Sequence, residues 1–377
     1  MKYLFILGRN PELSIAEILA FLKRKHIPIS KSEIHKNSIL IDISTKLPDN
    51  TIDQLGGSLA IGEVLTDKIN DLDKEELYSG TKNKFNYVVW NFSEETEKLS
   101  DYLRKRFKQE KLKSTEKRFG SFIKLQNGKN MPNISSKTVS QQFFAFNQFF
   151  GKIIQTCDYQ ELEKRDMEKP VRRGKLAISP KISKIMINLS LIENNQTLLD
   201  PFCGIGALLQ EALLQDLKVI GIDIDKNAIR GANQNLEWGN FSTRRYTLMR
   251  KDSQRVKIQR VNVLVAEPDL GEILQTVEDK KRKIIVRKSY SRSKAIERMR
   301  KFEDLMINVL NNLQDNVSGR IVFTSPFIKC FDHKKERLGC NIDIILQRTN
   351  LKQVEGFPIN DFRQDQVTGR QIFVLEK

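Results

Sequence analysis

The stretch Thr197-Leu198-Leu199-Asp200-Pro201-Phe202-Cys203-Gly204-Ile205-Gly206-Ala207-Leu208-Leu209-Gln210-Glu211-Ala212-Leu213 decides how this chain is read. Apolar Leu198 and Leu199 predict a short buried strand ending at Asp200. Gly204 and Gly206 carry no Cβ, so the backbone there can turn tightly and approach a ligand. Ala207, Leu208, Ala212 and Leu213 recur at helical spacing, so the turn opens directly into a helix N-terminus, a location that favours polar ligands.

Working outward, Lys218–Ile224 reads as a second strand after one helix, and Asp223 lies 19 residues beyond Gly204. Strand, glycine turn, helix, strand, acid is the Rossmann-type plan, in which the acid accepts hydrogen bonds from ribose hydroxyls. An ordinary strand-to-helix turn of another α/β protein is the bland alternative. The wording DPFCGIGALLQEAL resembles the first motif of class I S-adenosyl-L-methionine (SAM) methyltransferases that act on RNA bases. That resemblance implies SAM as cofactor. Asp200 would open the cofactor loop, the backbone of Phe202, Cys203, Gly204 and Gly206 would lie against the methionine part, and Asp223, with Ile224 beside it, would hold the ribose. Asp252 falls where the family places an acceptor for the adenine amino group; a lone loop Asp is otherwise simply solvated. Asp225, ahead of Lys226-Asn227-Ala228, is read as a helix N-cap.

Further along, Val261–Ala266 is an apolar strand followed directly by Glu267-Pro268-Asp269-Leu270-Gly271. This is the slot where amine methyltransferases of the resembled kind carry (D/N/S)-P-P-(Y/F/W). An exocyclic amine is a poor nucleophile because its lone pair is conjugated with the ring. An acceptor side chain and a backbone carbonyl must take its hydrogens while an aromatic ring stacks on the base. Here Glu267 is one methylene longer than Asp, Pro268 is kept, Asp269 replaces the second proline, and Leu270 replaces the aromatic residue. The resemblance implies that Glu267 and the Pro268 carbonyl accept from the amine while Leu270 offers an apolar face. A lost base–aromatic stack costs about 1–3 kcal/mol. The altered tetrad also admits a noncatalytic tRNA-binding protein, and the same tetrad logic admits a DNA amine methyltransferase.

Composition narrows the partner. Lysine and arginine number 64 against 47 acids, a formal charge of +17, which points to a polyanion and first to nucleic acid. No run of about 18 apolar residues is present to span a bilayer, and Tyr3–Leu7 is too short for a signal-peptide core, so the expectation is a cytoplasmic protein without membrane attachment. The four cysteines, at 157, 203, 330 and 340, have no paired CxxC spacing; Cys330-x2-His333-x6-Cys340 supplies only three ligands at an unfamiliar spacing, and no metal is expected. With three histidines and no nucleophile elbow, hydrolytic triads are disfavoured.

The remaining chain reads as α/β throughout. Strand Lys2–Leu7, a helix opened by Asn10-Pro11, strand Ser38–Ile43, a short helix at Ile52–Leu55 and strand Leu59–Leu65 suggest a small ferredoxin-like α+β region over 1–70. A second small domain over 71–160 follows, with strand Phe85–Trp90, helix Glu95–Lys108, strand Phe119–Leu125 and a β-rich end. The opening LGRNPELSIAEI and Phe149–Thr156 resemble the N-terminal region and THUMP domain of tRNA guanosine methyltransferases, in which THUMP domains bind tRNA ends. Residues 161–174 read as a charged linker, and 175–377 as the methyltransferase domain, with Pro180 opening a helix that buries Ile182, Ile185, Met186 and Leu189, and Arg370–Leu375 as an antiparallel edge strand. Arg172, Arg173 and Lys175 are candidate phosphate contacts, and the basic run Lys280–Arg300 reads as a solvated loop leading into a helix that continues to Leu313. As a whole the chain resembles the tRNA guanosine-10 N2-methyltransferase group. This implies tRNA as substrate and leaves open a small activating protein subunit.

Overall fold

In a computed structural model, residues 1–133, 139–172, 178–268, 276–279, 284–287, 290–332, 336–364 and 366–377 are described, with backbone alone for 276–279 and 284–287. The chain divides into two units, Met1–Ile18 with His26–Asp158 and Leu19–Lys25 with Tyr159–Lys377.

In the first unit, β1 (Lys2–Leu7) is buried along almost its whole length. Asn10 Oδ1 accepts from the Leu13 N–H at 3.3 Å, and Pro11 takes the first position of α1 (Pro11–Arg24), whose first turns belong here. Then come β2 (Ile29–His35), β3 (Ser38–Ile43), α2 (Thr51–Gln54), β4 (Ser58–Thr66), β5 (Lys84–Asn91), α3 (Thr96–Gln109), β6 (Lys113–Glu116), β7 (Ser121–Lys124), β8 (Asn130–Asn133), β9 (Gln141–Phe146) and β10 (Phe149–Thr156). Eight of these strands form one sheet in the order β2-β3-β1-β4-β10-β9-β5-β6. The sheet therefore runs unbroken across residue 70, where the composition suggested a boundary, because β10 lies antiparallel on β4 with Ile153 opposite Gly62. Glycine permits this: a Cβ on Gly62 or on Gly151 would come within 2.4 Å of the Phe144 ring. Strand β2 had no apolar alternation to reveal it, since ISKSEIH is a mostly exposed edge strand. Strand alternation along β9 feeds two cores: Phe144 and Phe146 pack with Leu4, Ile6 and Trp90, and Phe143 and Ala145 with Tyr87, Leu103 and Phe107.

The second unit opens with α4 (Tyr159–Met167), inside what reads from sequence as a linker. Leu162 is buried there, and Arg165 Nε donates to Glu211 Oε1 at 2.8 Å, so part of the charge that suggests a solvated linker is spent on an internal ion pair. Next is α5 (Pro180–Leu189), capped by the Ser179 side chain and started by Pro180, with Ile182, Ile185, Met186 and Leu189 all buried. Then follow β11 (Thr197–Asp200), α6 (Ala207–Leu214), β12 (Lys218–Asp223), α7 (Lys226–Trp238), β13 (Tyr246–Arg250), β14 (Val263–Ala266), a hairpin of β15 (Thr276–Asp279) and β16 (Ile284–Arg287), and α8 (Arg292–Leu313), capped by Ser291. The chain closes with β17 (Ile321–Lys329), β18 (Arg337–Leu338), α9 (Ile342–Gln347), β19 (Lys352–Gln353), β20 (Ile359–Asp361) and β21 (Thr368–Glu376).

The main sheet runs β13-β12-β11-β14-β17-β21-β19, parallel as far as β17 and antiparallel at β21. One expectation is corrected here. Strand β21 is not the edge, because β19 and β20 pair along it. Its unbroken buried run Gln371–Leu375 is the pattern of a strand covered on both faces rather than of an edge.

Candidate active site

In an open parallel sheet, ligands settle outside the carboxyl ends of the strands, and the ends of β11, β12 and β14 supply the residues that matter here. At the end of β11, Gly204 (φ +52°) and Gly206 (φ +81°) adopt left-handed backbone that a side chain would disfavour. The turn is stitched to its neighbour: the Cys203 N–H donates to Ile222 O at 2.9 Å, and the Gly204 N–H to Asp223 Oδ2 at 2.9 Å. The other Asp223 oxygen accepts from the Asp225 N–H at 2.8 Å. Asp223 thus ties the glycine elbow to the start of the next helix, and each oxygen keeps a second lone pair for a ligand hydroxyl. Asp225 in turn caps α7 by accepting from the Asn227 N–H at 2.8 Å. Gly206 caps α6, and a Cβ there would come within 3.3 Å of Ala232 Cβ, so its task is helix packing rather than lining.

A loop after β13 forms the next wall. Asp252 Oδ1 accepts from the Gln254 N–H at 3.0 Å, and Ser253 Oγ donates to Pro201 O at 2.6 Å, which fastens this loop to the elbow. From α8, Asn312 Nδ2 donates to Ser253 O at 3.1 Å and to Val256 O at 2.9 Å.

At the end of β14 stand Glu267 and the buried Pro268. Glu267 Oε1 accepts from Arg370 Nε on β21, and Glu267 Oε2 is buried without a hydrogen-bond partner among the described residues. The charge of Glu267 raises the Arg370 pKa above its ordinary value, against the opposing effect of burial. Asp200 is 2% exposed. Burial pushes its carboxyl up to about 8; a hydrogen bond from the Phe202 N–H at 3.0 Å works against this, and the charges of Asp223 and Glu267 add to it.

These groups meet around one cavity of about 380 Å³. Asp200, Phe202, Cys203 and Gly204 line it from the elbow, Asp223 and Ile224 from the next strand, and Asp252, Glu267 and Pro268 from the far side. Gly206 and Arg172 do not line it; Arg172 is exposed. Leu270, Arg173 and Lys175 lie outside the described residues, as does His333. Among the described residues no group of three or more His, Cys, Asp or Glu side chains is placed to hold a metal ion, and Cys330 and Cys340 are not in a disulfide.

The residues present suit a cationic nucleoside cofactor. The cavity volume falls within the range of small-molecule sites, a Cβ on Gly204 would meet no atom within 4 Å and so leaves its face open, and the lining is rich in carboxylates. Sequence reading missed Ser253, Asn312 and Arg370. The signal for Arg370 was a single charge beside the apolar run of a strand, but its partner lies 103 residues away.

Residues 169–285 match the family described as UPF0020: RMKL-like, methyltransferase domain. This stretch is similar to a methyltransferase domain. Among relatives, a tRNA (guanine(10)-N2)-dimethyltransferase of Pyrococcus abyssi is 26% identical over 263 residues, covering 68% of this chain and 73% of that protein. One of Methanothermobacter thermautotrophicus is 32% identical over 109 residues, covering 29% of this chain and 32% of that protein. In the Methanothermobacter case the match spans about a third of the relative's length. The structure of TrmN from Thermus thermophilus is similar with a TM-score of 0.50 at 13% identity, the match covering 100% of each chain, which supports the α/β fold of each unit. No helix among the described residues is long and apolar enough to cross a membrane.

Proposed function

We propose that the protein transfers a methyl group from S-adenosyl-L-methionine to the exocyclic 2-amino group of a guanosine in tRNA. The observation that carries this reading is the sharing of one cavity by the glycine elbow and the Glu267-Pro268 pair. The printed activity of the Pyrococcus and Methanothermobacter relatives supports guanine in tRNA as the target.

When bound, the cofactor supplies an already activated methyl group, so the chain's task is positioning. Asp223 receives the ribose hydroxyls, Asp252 the adenine amino group, and the backbone of Phe202–Gly204 the remaining part. Glu267 and the Pro268 carbonyl accept the two amine hydrogens, which turns the nitrogen lone pair out of conjugation and toward the methyl. Leu270 provides an apolar face for the base. Glu267 then takes the proton that the methylated nitrogen sheds. The first unit together with Arg172, Arg173 and Lys175 holds tRNA phosphates without reading sequence, so tRNA affinity falls steeply with salt.

The test is incubation with methyl-labelled cofactor and unmodified tRNA transcripts, digestion, and identification of the labelled nucleoside by mass spectrometry. Labelled N2-methylguanosine or N2,N2-dimethylguanosine is expected. Label on adenosine would move the target to another base amine. No label, even after addition of a small activating subunit, would leave a tRNA-binding protein.

A further inference from the structure

We infer that Arg370 is a positioning residue for the reaction: from β21 it grips Glu267 and keeps that carboxylate an aimed hydrogen-bond acceptor for the substrate amine. The inference rests on the reading of Glu267 as the amine's acceptor.

The sheet provides the geometry. Strand β14 ends level with β17 at Ala266 opposite Phe323, so Glu267 projects just past the last ladder contact. Strands β17 and β21 run on beyond that level, with Phe323 opposite Phe373 and Pro326 opposite Arg370. The overhanging end of β21 thereby brings a guanidinium back over the end of β14, where Nε meets Glu267 Oε1 and both side chains line the cavity.

Two physical needs converge on this contact. Glu has one more rotatable bond than the shorter side chains of the resembled tetrad, so an untethered carboxylate would sweep through several rotamers. A planar guanidinium with fixed N–H directions removes that freedom. The second need is charge. Glu267 is 10% exposed and lies near enough to Asp200, at the end of β11, for the two charges to act on each other. Asp200, in the same cluster, is pushed up to about 8, chiefly by burial. A carboxyl that holds its proton donates instead of accepting and cannot take an amine hydrogen. Arg370, itself beside Asp361 on β20, is the cation that Glu267 meets, its Nε donating to Oε1. It satisfies only Oε1. Among the described residues Oε2 remains a buried acceptor without a donor, and an amine N–H is the donor the proposed reaction brings.

The experiment measures kcat across pH 6–9 at saturating cofactor and tRNA for wild type, Arg370→Gln, Arg370→Lys and Glu267→Gln/Arg370→Gln, with SAM affinity by calorimetry. In Arg370→Gln, kcat at neutral pH should fall about 100-fold and the acid limb of the profile should move to higher pH. SAM Kd and the KM for tRNA should stay within about threefold, since one stated residue is lost at the amine end only. Arg370→Lys should restore most of the rate and return the limb. The double variant should be no slower than Glu267→Gln alone, because the two side chains act as one unit. Unchanged kcat and limb in Arg370→Gln, with Glu267→Gln inactive, overturns the role of Arg370 and leaves the methyl-transfer reading standing. Loss of SAM binding in step with kcat in both Arg370 variants also overturns it, in favour of a structural role. A wild type that binds SAM yet methylates no tRNA overturns the reading and the inference together.

Discussion

At the elbow of the cavity, Asp223 fastens Gly204 and Asp225 within 22 residues of chain, each contact between backbone N–H and carboxylate. At the opposite end, Glu267 draws its partner from residue 370, across two intervening strand contacts. The elbow is built from local backbone geometry, and its two left-handed glycines disfavour a side chain. The Glu267 end is built from one long side chain answering another, and it differs from the tetrad wording at Glu267, Asp269 and Leu270. A motif made of backbone turns must be kept whole, whereas one made of side chains can be altered if another strand supplies the compensation.

Substitutions that separate the two ends sharpen this contrast. The largest effect is expected from Glu267→Gln: kcat falls about 10²–10⁴-fold, read by the labelled-methyl assay, while calorimetric SAM affinity stays within about threefold of wild type. A parallel loss of cofactor binding would erase the distinction between the ends. Asp223→Ala should act in the reverse sense. Removing an acceptor that binds two N–H groups and that we propose also holds the ribose should weaken SAM by about 100-fold or more, and a wild-type Kd would remove Asp223 from the cofactor's ribose.

A smaller effect is expected at Gly204. Gly204→Ala forces a Cβ into backbone at φ +52°, a strain of about 1–2 kcal/mol, so SAM binding should drop about tenfold without change in the acid limb of the kcat profile. The mildest effect concerns Asp200, whose carboxyl is pushed from 3.8 up to about 8 by burial. The folded protein holds that proton more tightly than the unfolded chain, so this residue's contribution to stability is fully present below 3.8 and is lost as pH rises through about 8. Asp200→Asn keeps an oxygen for the Phe202 N–H and carries no charge. Its Tm should exceed that of wild type by a few degrees at pH 9 and match it at pH 4; a gain that grows as pH falls would contradict the assignment.

Much of the second unit is legible because its signals are short. Apolar Leu198 and Leu199, the two glycines, and Asp225 ahead of Lys226 each speak about neighbours a few residues away, and β11, the elbow, α6 and the cap of α7 all form where those residues stand. Pro180 behind Ser179 likewise opens α5. Legibility fails where contacts are distant. The polar edge strand β2 has no apolar period, the charged residues of α4 look solvated until Arg165 meets Glu211, and the sheet's continuity across residue 70 depends on β10 returning to β4.

The sequence by itself determined the elbow, its acid and the strand that ends in Glu267-Pro268, because backbone turns, caps and strand periodicity are set by residues adjacent along the chain. Only the tertiary structure decided that Asp200 is a buried carboxyl with a raised pKa and that Glu267 is paired with a cation. Charge, burial and ion pairing depend on which strands lie side by side, and the order β11-β14-β17-β21 is a property of the folded sheet, with partners too far apart in the chain for any local pattern to join them.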